Sequence, residues 1–120
     1  MQKSEDAIHF NETELMERLG YEKEDVDQIL SAVRERYPEI ITSLKEAVTA
    51  SDMPKVKSLA HQLKGSSLNM SFNKLGDLAK ELEKEAGVNG GQTDNILELY
   101  TRIEKEWDSV QSVLDRRNSG

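Results

Sequence analysis

The chain contains no cysteine, only two prolines and one tryptophan, and its histidines are limited to His9 and His61. The lack of cysteine excludes a disulfide framework and a thiolate metal cluster, and agrees with a reducing compartment. No apolar run approaches the length that spans a bilayer, and the opening MQKSEDAIHF lacks the apolar core of a signal peptide. The cytoplasm is therefore the expected compartment, with no insertion into a membrane. Positive charge is the minority, 16 basic against 23 acidic residues for a net charge of −7. That balance disfavours nucleic acid as the main partner, because duplex binding rests on cationic contacts to phosphate. At 120 residues, 36% hydrophobic and 32% charged, the chain suffices for one small domain with one modest core.

Hydrophobic periodicity is helical almost throughout, without convincing strand alternation. A short helix is expected after Asn11, a cap residue with Glu14 at capping-box spacing, ending near Gly20. A long one runs from about Glu22 to Ala50. Pro38 should kink or break it, because proline removes a backbone donor and clashes with the preceding turn. The third starts at Asp52, an N-cap with Pro54 in the first turn, and reaches about Met70. The fourth spans Asn73 to Ala86 on Leu75, Leu78, Ala79 and Leu82, and Gly87 closes it. After the loop GVNGGQ comes a last helix from Thr93 to Asp115, striped by Ile96, Leu99, Ile103, Trp107, Val110 and Leu114.

Such stripes are core faces, because helices need them in order to pack. Gly90-Gly91 has no strand before it and no GK[ST] after it, so it is a connection and not a phosphate loop. The expected fold is all-α: an antiparallel up-and-down four-helix bundle with a short additional N-terminal helix, over residues 10–115. Residues 1–9 would be an extension and residues 116–120 a frayed tail.

At about 100° per residue, Val56, Leu59, Leu63 and Met70 share one arc of the third helix, with Ala60, Ser66 and Ser67 at its margins. His61 points the other way, beside Lys57, Lys64, Gly65 and Leu68 at i−4, i+3, i+4 and i+7. A lone surface histidine is ordinarily a solvated residue. Gly65 argues for more, since a mid-helix glycine costs roughly 1 kcal/mol relative to alanine. Helical side chains lean toward the N-terminus, so a side chain at Gly65 would lie over the imidazole; its absence leaves room for a bulky group. Lys64 adds a mobile positive charge suited to a phosphoryl group. A neutral imidazole is itself a nucleophile near pH 7. A serine hydrolase would need a base, an orienting acid and an oxyanion hole, and no strand-turn-helix elbow is visible. A metal site would need three or four ligands, and His9 has no matching ligand spacing.

Ala60 to Asn69 reads AHQLKGSSLN. This resembles the signature AHxLKGSxxN of the histidine phosphotransfer (HPt) domains of bacterial, fungal and plant phosphorelays. The resemblance extends to FNETELMERLG at Phe10–Gly20, to the long helix VDQILSAVRERYPEIITSLKEAV, and to KLGDLAKELEKEAG at Lys74–Gly87. It thus covers roughly residues 10 to 115. One departure stands out: where many members carry a glycine and a small residue just after the motif, this chain has Ser71 and Phe72.

The resemblance implies a phosphorelay intermediate that takes a phosphoryl group on His61 from a receiver-domain aspartate and passes it to another receiver. Lys64 would help hold the phosphoryl group and Gly65 would give clearance. Lys57, Gln62, Leu68 and Phe72 are the expected docking residues, Leu68 and Phe72 as apolar side chains beside the polar His61 and not from the resemblance, with a cap on the core as the alternative for Phe72. Pro38 would kink its helix and not break it. With no Walker-type or kinase glycine-rich loop, autonomous kinase activity is not expected. No cofactor or metal is expected on this chain, and magnesium would come with the receiver. The partners would be response-regulator receivers and a hybrid sensor kinase, of which this chain could also be a domain, and a monomer suffices. The rival from another class is a helical interaction module that binds a receiver or a helical partner without carrying phosphate. A phosphohistidine phosphatase or autokinase is disfavoured for want of nucleotide-binding and hydrolytic groups.

Overall fold

A computed structural model describes residues 4–20, 22–88 and 93–119. Among them are six helices and no strand: α1 (Ser4–His9), α2 (Glu12–Leu19), α3 (Lys23–Thr49), α4 (Met53–Asn69), α5 (Asn73–Gly87) and α6 (Thr93–Ser119). The loop at 89–92, including Gly90 and Gly91, lies outside the described residues.

Local chemistry sets most of these ends. Asn11 caps α2 by accepting the Glu14 amide at 3.0 Å, and Gly20 ends it in the left-handed region at φ 65°. The capping box is not completed by Glu14. The Asn11 amide instead donates to the Ser71 carbonyl at 3.0 Å, and the Glu14 carboxylate accepts from Ser71 Oγ and Asn73 Nδ2. Asp52 caps α4 by accepting the Lys55 amide, with Pro54 in the first turn, as its sequence suggests. Pro38 lies within α3, which runs unbroken through it.

Helices α3 and α4 both finish in a Schellman turn, and in each the left-handed residue is a serine. Ser51 has φ 55° and Ser71 φ 57°. At the end of α4, the Ser71 amide donates to Leu68 O at 3.2 Å and the Phe72 amide to Ser67 O at 2.9 Å. This is the point at which the chain departs from the glycine of the resemblance. The left-handed conformation is retained, and Ser71 meets its cost with its hydroxyl, which donates to Glu14 Oε1 at 2.8 Å and accepts from Arg18 at 3.0 Å.

The core runs along all four long helices, and α1 and α2 close one end. There Phe10, Tyr37, Phe72 and Trp107 meet, with Phe72 edge-on to Phe10 at 5.4 Å and to Tyr37 at 5.8 Å. Phe72 is fully buried, so its expected docking role is overturned. It follows a left-handed residue, which turns the chain inward and removes Phe72 from the outward face of the helix. The Tyr37 hydroxyl reaches Ser66 Oγ at 2.8 Å and Ser67 Oγ at 3.0 Å, anchoring the second half of α4 to α3.

Both termini differ from expectation. Residues 4–9 form a helix, and α6 continues through residue 119 where fraying was expected. Neither segment has an apolar stripe of its own, and ion pairs order them. Arg116 pairs with Asp6 at 2.7 Å, Arg117 with Glu12 at 2.6 Å and with Asp27, and His9 Nδ1 meets the buried Glu106 at 2.6 Å.

Ser71→Ala keeps the unfavourable φ but loses both hydroxyl bonds, and should destabilise the fold by about 1–2 kcal/mol in urea unfolding. Ser71→Gly loses the same bonds but relieves backbone strain of about 1 kcal/mol, and should fall closer to wild type.

Candidate functional site

The site occupies the groove between α4 and α5. Its register is fixed by contacts along the groove. The Lys57 stem lies over Gly87, its Cε 3.5 Å from where a Cβ on Gly87 would stand, and Leu68 lies over Gly76. Between these ends, His61 faces Glu83. On α5 the residues Gly76, Lys80, Glu83 and Gly87 recur at helical spacing and form the facing wall.

His61 is 68% exposed, and its Nδ1 lies 2.7 Å from Glu83 Oε2, while Lys64 Nζ donates to Glu83 Oε1 at 2.6 Å. Glu83 thus holds both residues, one on each oxygen. Its pKa is held below the ordinary 4.5, first by the Lys64 hydrogen bond and then by that of His61, against the opposing effect of desolvation. An ionised carboxylate only accepts, so in the neutral ring Nδ1 carries the proton and Nε2 keeps its lone pair. Among the described residues no hydrogen bond is made to Nε2. The arrangement is an exposed, oriented nitrogen nucleophile with a cation one helical turn away.

Of the residues expected from sequence, the structure brings His61, Lys64, Lys57 and Leu68 together along one groove. Gln62 is exposed on α4 next to His61. Leu68 is 36% exposed. A Cβ on Gly65 would meet nothing within 4 Å, so packing does not require glycine there. Ser66 and Ser67 are structural, as their bonds to Tyr37 show. Glu83 was missed, because its role depends on what the facing helix α4 sets beside it. The available signal was the stripe it shares with Gly76 and Gly87, two small residues that let a neighbouring helix come close.

The family model of the Hpt domain matches residues 28–113. The chain belongs to the Hpt domain family. At family level this means a phosphocarrier module of two-component signalling that works with response-regulator receivers and is not a kinase. Neither the curated proteins nor the solved structures compared with the Hpt chain gave a match. No described helix is long and apolar enough to cross a membrane, and among the described residues no group of three or more His, Cys, Asp or Glu comes together as a metal site.

Because the pKa of Glu83 is depressed in the folded state, the stability it contributes is present above pH 4.5 and lost as pH falls through its folded value. A Glu83→Gln variant should therefore lose less stability than wild type on acidification below pH 4.5 in urea titrations.

Proposed function

We propose that this Hpt domain is a phosphorelay intermediate in which His61 Nε2 accepts the phosphoryl group of a receiver aspartate and returns it to the aspartate of another receiver. The observation that carries this reading is the single carboxylate, Glu83, bound to both Nδ1 of His61 and Nζ of Lys64. In the forward step the Nε2 lone pair forms the P–N bond, the P–O bond to the aspartate breaks, and the aspartate leaves as a carboxylate. No proton has to move. The ring keeps its Nδ1 proton and becomes cationic, and Glu83 offsets that charge while Lys64 faces the phosphoryl oxygens. His61 is the catalytic residue, and Glu83 is a positioning residue. Magnesium belongs to the receiver in this reading, and the chain supplies no metal ligand or cofactor.

The same reading places the domain in the cytoplasm as a monomer and takes its four long helices as an antiparallel up-and-down bundle. Residue pairs support that topology, because partners advance along one helix as they retreat along the next. On α4 and α5 these are Lys57 with Gly87, His61 with Glu83 and Leu68 with Gly76, and on α5 and α6 Lys74 with Glu106 and Glu85 with Asn95.

The test is acid-labile labelling on mixing with phosphorylated receivers of the source organism. Wild type should take label and His61→Gln none, while ATP and magnesium alone should label neither. Glu83→Ala should slow transfer about 10- to 100-fold, with Glu83→Gln, which keeps an acceptor, between it and wild type. Binding without label, by a folded wild type and from every receiver tried, would instead favour the interaction-only module. Gly65→Ala separates site from fold: it should raise stability by up to about 1 kcal/mol through helix propensity, yet slow transfer, because the methyl narrows the open space beside His61 that the phosphoryl group and the receiver must enter.

A further inference from the structure

The second histidine of this chain sits in a constellation like that of the first. His9, the last residue of α1, places Nδ1 2.6 Å from Oε2 of Glu106 on α6, and Oε1 of the same carboxylate faces Nζ of Lys74 on α5 at 3.7 Å. The corresponding distances from Glu83 to His61 and Lys64 are 2.7 and 2.6 Å. Three helices thus assemble what α4 and α5 assemble at His61: one carboxylate with an imidazole Nδ1 on one oxygen and an ammonium on the other. Glu106 is only 3% exposed, so its hold on the ring is better screened from water than that of Glu83. A carboxylate only accepts, so in the neutral ring Nδ1 carries the proton and Nε2 keeps its lone pair. Among the described residues no hydrogen bond is made to His9 Nε2. The ring lines a pocket of about 420 Å³ between α1 and α6, shared with Glu5, Asp6, Ser109, Ser112 and Arg116. That space serves His9 as the missing side chain of Gly65 serves His61.

We propose that His9 is a second phosphoryl acceptor of this domain, taking a phosphoryl group on Nε2 from small acyl phosphates or phosphoramidates, with Glu106 as its positioning residue. The donor class follows from access. The His9 side chain is 24% exposed against 68% for His61, a recess that admits a small molecule to the pocket but does not present the ring to the surface of another protein. In the step, the Nε2 lone pair forms a P–N bond while the bond from phosphorus to the donor's oxygen or nitrogen breaks. The leaving group departs with that electron pair, as a carboxylate from an acyl phosphate or as ammonia from zwitterionic phosphoramidate. The ring keeps its Nδ1 proton and becomes cationic, and Glu106 offsets that charge. Ser109 and Arg116 are the donors that the pocket wall offers to the phosphoryl oxygens. Arg116 is shared with Asp6 at 2.7 Å, and Glu5 and Asp6 oppose the incoming charge, so His9 takes label more slowly than His61.

The test uses the folded full chain carrying His61→Gln, incubated separately with phosphoramidate and with acetyl phosphate. Acid-labile label should appear, map to His9 by fragmentation, and consist of the Nε2 isomer by phosphorus NMR. Adding His9→Gln should abolish it. Adding Glu106→Gln, in protein that is still folded, should slow labelling about 10- to 100-fold and mix in the Nδ1 isomer, which a purely structural role for Glu106 would not do. The proposal is overturned by a His61→Gln chain that neither donor labels, by label that survives His9→Gln, or by a Glu106→Gln chain with unchanged rate and isomer. Each of these leaves the relay reading intact. A wild type that no receiver labels, with His9 still labelled by a small donor, overturns the relay reading alone.

Discussion

A Cβ on Gly76 would stand 2.6 Å from Leu68 Cδ2 and 2.8 Å from its Cγ, so α4 and α5 approach each other there more closely than a side chain would allow. That approach determines which residues of the two helices meet. From it, two turns along α5, Glu83 arrives beside His61 and Lys64. Were the helices to stand further apart, the carboxylate could not bridge an imidazole and an ammonium with bonds of 2.7 and 2.6 Å. The chemistry at the exposed surface therefore depends on a glycine that is itself buried.

A second fastening holds the same end of this helix pair, at the α4–α5 turn. Arg18 of α2 donates to the Leu68 and Asn69 carbonyls at 3.0 and 2.7 Å, joining the Ser71 amide on Leu68 O and adding a donor at the last carbonyl of α4. Glu14, on the same short helix, takes hydrogen bonds from Ser71 and Asn73, which keep its carboxyl below its usual range. Together with the aromatic cluster around Phe72, these bonds make α2 a clasp on the α4–α5 turn. The N-terminal helices thus contribute to the site without touching it.

The sequence carried the four long helices because each has an apolar stripe and recognisable ends, such as Asp52 with Pro54. His61, Lys64 and Gly65 were legible because they lie within one helix, where spacing converts directly into direction. Glu83 was not, because its role depends on how two helices align. Phe72 was misplaced for a related reason: the turn that buries it uses a serine at φ 57°, and no glycine announces it. The terminal turns at residues 4–9 and 116–119 escaped because charge partners far apart in the chain hold them, including Asp6 with Arg116, 110 residues apart.

The reacting elements all fall within a single helical hairpin, Lys57 to Gly87, and the His61–Glu83 contact spans only 22 positions. Contacts this local need little loop closure and form early in a folding reaction. The distant ion pairs that order the chain ends close much larger loops and belong to the part of the molecule that opens most readily. Local opening of the termini can therefore come and go while the phosphate-carrying hairpin, the segment under the strictest geometric demand, stays assembled.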